Sequence, residues 1–141
     1  MIKKLLLIII ISLLSPNIFT QVRLGYTPSQ INYEFKSKGY DIITNNVKPN
    51  PSKPILIIKF DNCIVHYYFN PQYKCDKCVL IPNTLKDLNF FIDLYNKKYE
   101  ITSNMYNPNN YNTQWQMKGK YSYSTIKLIH SPNIGDYFLW Y

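Results

Sequence analysis

Two matching pentapeptides constrain this chain more than any other feature. Lys38-Gly39-Tyr40-Asp41-Ile42 is answered 59 residues later by Lys97-Lys98-Tyr99-Glu100-Ile101. Each closes a stretch with helical periodicity and opens one with strand character. Val79-Leu80-Ile81-Pro82 and Phe138-Leu139-Trp140-Tyr141 are again 59 apart, and the cap candidates Thr27 and Thr84 are 57 apart. Spacing this regular is the mark of a repeated supersecondary unit. A unit near 60 residues buries too little surface to be stable alone, so the two halves, about 26–82 and 83–141, are expected to share one core.

The helix signals are local and specific. The first helix is predicted over Pro28–Lys38. Thr27 is a good cap, Pro28 fits the first helical position, Gln30 completes a capping box and Gly39 suits the stop. Ile31 and Phe35 lie one turn apart on one face. The second helix is predicted over Leu85–Lys98 after Thr84. Leu85, Leu88, Phe91, Ile92 and Tyr95 form a stripe of period 3.6, with Asp87 in the first turn and Lys97 and Lys98 at the negative end.

Strand signals follow each helix. In the first half they are Tyr40–Thr44, Ile55–Phe60, Cys63–Phe69 and Cys78–Ile81. In the second they are Tyr99–Ser103, Gln114–Lys118, Tyr121–Ile129 and Tyr137–Tyr141. Asp61-Asn62 suits a two-residue hairpin turn, and Asn70–Lys74 is a second turn. A long Asn-rich loop is expected over Asn104–Thr113. The economical architecture is α+β: a tandem helix-plus-antiparallel-strands repeat, both helices packed on one face of a single sheet of up to eight strands. With Asp61-Asn62 as the turn, Phe60 pairs with Cys63 and Ile58 with Val65. Leu56, Ile58, Phe60, Cys63, Val65, Tyr67 and Phe69 then share the core face. Ile55, Ile57, His66 and Tyr68 fall on the opposite face. Tyr121 and Tyr123 are candidates to join them.

The first twenty residues read as a secretory signal. Lys3 and Lys4 precede the apolar run Leu5–Leu14, Ser15-Pro16-Asn17 breaks it, and a cut after Thr20 would leave Gln21 first. That run is too short to span a bilayer, so the mature chain, 21–141, is expected to be a single domain with no membrane-spanning segment. Loss of Lys3 and Lys4 takes the net charge from +8 to +6. Export argues against a nucleic-acid partner. The abundance of Ile, Lys, Asn and Tyr also fits AT-rich coding, which raises Lys without selection for binding.

Candidate chemistry rests on cysteine and histidine. Cys63-x-x-His66 followed by Cys75-x-x-Cys78 has the ligand types and gaps of a zinc site. Ile64 and Val65 are β-forming, however, and residues three apart on a strand face opposite ways, so Cys63 and His66 would not share a metal. A redox pair of the thioredoxin kind needs a helix N-terminus after its cysteines, and here Val79-Leu80-Ile81 is strand. Cys75 and Cys78 are the disulfide candidates in an exported chain. Bridging them needs a turn at Asp76-Lys77, because an extended strand holds their Cα atoms about 10 Å apart. Simple registers place Cys63 opposite Leu80 or Ile81. Neither Gly-x-Ser-x-Gly nor His-Glu-x-x-His occurs, and the acidic residues are scattered. No catalytic residue, resident metal or cofactor is assigned.

Leu24-Gly25-Tyr26-Thr27-Pro28-Ser29-Gln30-Ile31 resembles the Gly-x-Thr/Ser-x-x-x-Val helix opening of small exported α+β domains. These include the beta-lactamase inhibitor proteins and the small outer-membrane assembly lipoproteins. The tandem helix-plus-sheet order is similar to the inhibitor's two repeats, although this chain lacks a lipid-site Cys and has a shorter repeat. The resemblance implies a binding or inhibitory module that uses an open sheet face. The expected function is therefore an exported, non-enzymatic protein-interaction module of a bacterial cell, periplasmic or secreted, with a protein partner in the envelope or outside. The alternative is an envelope metal- or redox-active protein using Cys63, His66, Cys75 and Cys78.

Overall fold

The structure, a computed structural model, describes residues 21–103, 106–107, 110–111, 114–118 and 123–141. The signal expected over residues 1–20 lies outside them. The described chain runs α1 (Pro28–Ser37), β1 (Asp41–Thr44), β2 (Leu56–Lys59), β3 (Cys63–Phe69), β4 (Cys75–Pro82), α2 (Leu85–Lys98), β5 (Glu100–Ser103), β6 (Tyr106–Asn107), β7 (Asn110–Tyr111), β8 (Gln114–Lys118), β9 (Tyr123–Ser131) and β10 (Gly135–Trp140). The class is α+β. Eight strands form one antiparallel sheet in the order β1-β2-β3-β4-β10-β9-β8-β5. From either edge, the strands of each half follow in chain order and meet where β4 pairs with β10. The segment expected to be plain Asn-rich loop carries β6 and β7, a separate two-stranded ladder with Tyr106 opposite Tyr111. A short hairpin satisfies backbone groups that a bare loop would leave to water.

Helix boundaries follow their caps. Gln30 N–H donates to Thr27 Oγ1 at 3.3 Å, and Thr27 N–H donates to Gln30 Oε1 at 2.9 Å, completing the capping box. Gly39, just past α1, has φ 82°, a conformation that a side chain disfavours. At α2, Asp87 N–H donates to Thr84 Oγ1 at 3.1 Å. Arg23 then ties the N-terminal segment to α1. Its Nε and Nη2 donate to the two Glu34 carboxylate oxygens at 2.8 and 2.7 Å, and Lys38 adds a third contact at 3.0 Å. The Arg23 hydrogen bonds, opposed by partial burial, hold Glu34 down at about 2.

The core is assembled from rows that cross the sheet. Ile58, Val65, Leu80, Phe138 and Leu128 are successive register partners, and Leu56, Tyr67, Cys78, Trp140, Ile126 and Trp115 form the next row. All are buried. They form one cluster with Ile31 and Phe35 of α1 and with Leu88, Phe91 and Tyr95 of α2. The Tyr95 ring lies 5.0 Å from Phe138, 5.4 Å from Trp140 and 5.6 Å from Trp115. Phe35 meets Phe60 edge-on at 5.1 Å. Each such side chain contributes about 1.5–3 kcal/mol by leaving water. Trp115 Nε1 donates to Asn96 Oδ1 at 2.9 Å, which satisfies its polar edge.

Two irregularities around the β2–β3–β4 ladders depart from the simple strand pattern, besides a register shift between Ile101 and Ser103 where β5 pairs with β8. Phe60 does pair with Cys63, and Ile58 with Val65. Cys63, however, is opposite Pro82 rather than Leu80 or Ile81. The reason lies at the other end of the hairpin. Tyr68 partners Lys77 and Phe69 partners Cys75, so Asp76 is an extra, bulged residue and β4 starts three residues earlier than expected. The turn beyond is held by Asn70, whose Oδ1 accepts the N–H groups of Gln72 and Lys74, both at 3.0 Å. The second irregularity is at Ile55. Its N–H donates to Tyr67 C=O, although Leu56 is the register partner of Tyr67. Two consecutive residues oppose one, and side-chain alternation lapses there.

Candidate functional site

The sheet side opposite the core rows has a composition of its own. Ile43, Ile57, His66, Val79, Leu139 and Lys127 are successive register partners across six strands. Ile64 lies opposite Ile81, and Tyr68 opposite Lys77. Ile43 is exposed and the others are half-buried. Among the described residues, the core cluster does not take in Ile57, Val79 or Leu139. These side chains shield one another edge to edge as neighbours on a pleated surface do. Lys77 Nζ sits 4.0 Å above the Tyr68 ring, and Lys127 Nζ 5.1 Å from the Tyr141 ring centre. The ring faces attract the ammonium groups while the lysine stems cover apolar surface. A cleft of about 420 Å³ adjoins this end of the sheet, lined by Pro49, Pro51, Phe69, Pro71, Lys77 and Tyr141 among others.

His66 lies between Ile57 and Val79 in the row. Partial burial pushes its pKa below the usual histidine value, so the imidazole is neutral at neutral pH. The same side also carries Tyr68, Lys59, Lys77 and Lys127, with Asp41 as the register partner of Lys59.

Of the residues expected on this face, Ile57, His66 and Tyr68 lie there together. Ile55 does not: it is buried at 6% exposure and belongs to the core cluster. The doubled opposition at Tyr67 turns it out of the alternation. Tyr121 lies outside the described residues, and Tyr123 opens β9 as register partner of Lys118. Ile43, Val79 and Leu139 were missed. Period-two alternation alone nominates Val79 and Leu139 once β4 and β10 are known to pair, but nothing local in the sequence announces that pairing.

The cysteines occupy the buried side. All three are free thiols. Cys75 and Cys78 approach to 3.5 Å between sulfur atoms. Burial raises the Cys63 thiol to about 12 and pushes Cys78 upward as well, with its contact to Cys75 adding to the effect. Cys63 is buried and His66 half-buried on alternating positions of β3, so they face apart. Among the described residues, no three His, Cys, Asp or Glu side chains come close enough to hold a metal ion. No helix among them is long and apolar enough to cross a membrane. Comparison with known protein families, with curated proteins and with solved structures finds no match for this chain.

Proposed function

We propose that this chain is an exported, non-enzymatic protein-interaction module, inhibitor-like in using a sheet face to hold its partner. The observation that carries the reading is the row Ile43-Ile57-His66-Val79-Leu139, an apolar strip across five strands that stays outside the core cluster. Contiguous apolar surface of this kind marks a contact site. In this reading the chain is a duplicated unit whose two helices cover one side of the sheet and leave the other for the partner. The mirrored strand order supports the duplication, and the contacts of Phe35 with Phe60 and of Tyr95 with Phe138 support the placing of the helices. The predicted secretory leader supports export to the periplasm or beyond. The neutral His66 and the ring-capped lysines add a polar edge, and the proline-lined cleft offers a pocket for a partner side chain.

Affinity capture tests this. The full chain, tagged at its C-terminus and expressed in its host, is used as bait in envelope extract beside the double variant Ile57→Glu, Val79→Glu. The expected result is a stoichiometric protein partner held by the wild type and lost by a variant of unchanged melting temperature. Equal capture by both chains, or no stoichiometric partner, contradicts the reading. Of the alternative centred on Cys63, His66, Cys75 and Cys78, only the contact between Cys75 and Cys78 finds support.

A further inference from the structure

We propose that Cys75 and Cys78 form an oxidative modification site whose two thiols close to a disulfide, while Cys63 stays reduced. The inference stands apart from the binding face and rests on the bulge in β4. In a regular strand, residues three apart face opposite sides and are too far apart to bridge. The extra residue Asp76 cancels one step of that alternation. Cys75 and Cys78 therefore share the buried side, at 2% and 0% exposure, while Asp76 between them is exposed. Their sulfur atoms are 3.5 Å apart, and a disulfide needs about 2.05 Å. Closing the gap needs rotation of the two side chains, and Asp76 between them has no register partner in the ladder with β3.

The surroundings explain when the bond would form. Residues 21–26 lie as a strap against this end of β4. Gly25 N–H donates to Cys75 C=O at 2.7 Å, Cys75 N–H donates to Tyr26 C=O at 2.8 Å, and Tyr67 O–H donates to Gln21 C=O. With the strap down, the thiols are shielded from reagents. Exchange is thus a step of folding, before the strap docks. One thiolate attacks the S–S bond of a small disulfide such as glutathione disulfide and releases one thiol. The second cysteine then displaces the other half as a second thiol. Two S–H bonds are lost from the protein, one S–S bond forms, and the donor is reduced by the same two electrons. Cys63 has no such neighbour: its register partner is Pro82, and burial keeps its thiol protonated.

The experiment is mass spectrometry of the full chain, denatured, reduced and refolded in mixed reduced and oxidised glutathione. Trypsin cuts after Lys74, Lys77 and Lys86, so the two cysteines fall on separate peptides. The expected result is a loss of two hydrogens per chain and one alkylatable thiol after denaturation. The peptides 75–77 and 78–86 should run as one species that reduction splits. Cys63→Ala should keep that species and Cys75→Ser should abolish it. Three alkylatable thiols in the refolded chain, or a link through Cys63, would overturn the proposal. If Cys75→Ser fails to fold, the wild-type peptide map decides alone.

Discussion

Val79 and Leu80 are neighbours in β4 with opposite surroundings. Leu80 has Val65 and Phe138 as register partners and is sealed at 1% exposure. Val79 has His66 and Leu139 beside it and is half-buried. Among the described residues, the same alternation of buried and half-buried positions runs along β3 and through the end of β10. Phe35 of α1 and Phe91 and Tyr95 of α2 belong to the same buried cluster as Leu80. Ile57, Val79 and Leu139 are also aliphatic, yet they lie outside that cluster. Apolar character alone therefore does not make a core; a second layer must meet it.

The largest effect that sharpens this contrast is expected on the closed side. Phe138→Ala, which strips the ring beneath Phe91 and Tyr95, should cost about 3–5 kcal/mol in urea unfolding. Leu80→Ala should follow with about 2–5 kcal/mol, whereas Val79→Ala should cost within about 1 kcal/mol. Equal losses at 79 and 80 would break the distinction between the two sides.

Next in size are the ties of the N-terminal segment. Glu34→Gln should lower stability by about 1 kcal/mol, less in high salt, because the pair with Arg23 is partly solvated. The pH dependence has a definite sign. Glu34 is held at about 2 in the folded chain against 4.5 in the unfolded one, so its stabilisation is complete above 4.5. It fades as pH falls toward 2, and the Gln variant should lose that part of the acid sensitivity. The smallest effect is that of His66. Its folded value lies below the unfolded one, so the unfolded chain binds the proton more readily. Stability should rise with pH toward 6.5 and level off above it, and His66→Gln should flatten that slope in thermal melts taken from pH 5 to 8.

What the sequence revealed was what is local. Thr27 with Gln30, Thr84 with Asp87, Gly39, and the alternation from Leu56 to Phe69 each encode their structure within a few residues, so both helices and the first hairpin were legible. Three features were hidden. The bulge at Asp76 depends on how the turn held by Asn70 meets Phe69, and no residue type advertises an unpaired position. It alone lets Cys75 and Cys78 touch, against the spacing expected of an extended strand. The irregular opposition at Tyr67 buried Ile55 for a related reason. The meeting of β4 with β10 is a long-range pairing, and without it Leu139 has no visible link to Val79 and His66. The shared side of Ile57, His66 and Tyr68 is thus legible from one hairpin, whereas the addition of Ile43, Val79 and Leu139 requires the sheet.

The most direct test of the account is carbene footprinting of the chain alone and bound to its captured partner. The account predicts label on Ile57, Tyr68, Val79 and Leu139 in the free chain, protection of those four on binding, and no label on Leu56, Tyr67, Leu80 or Phe138 in either state. Protection of the first four in the free chain, or unchanged labelling on binding, would contradict it.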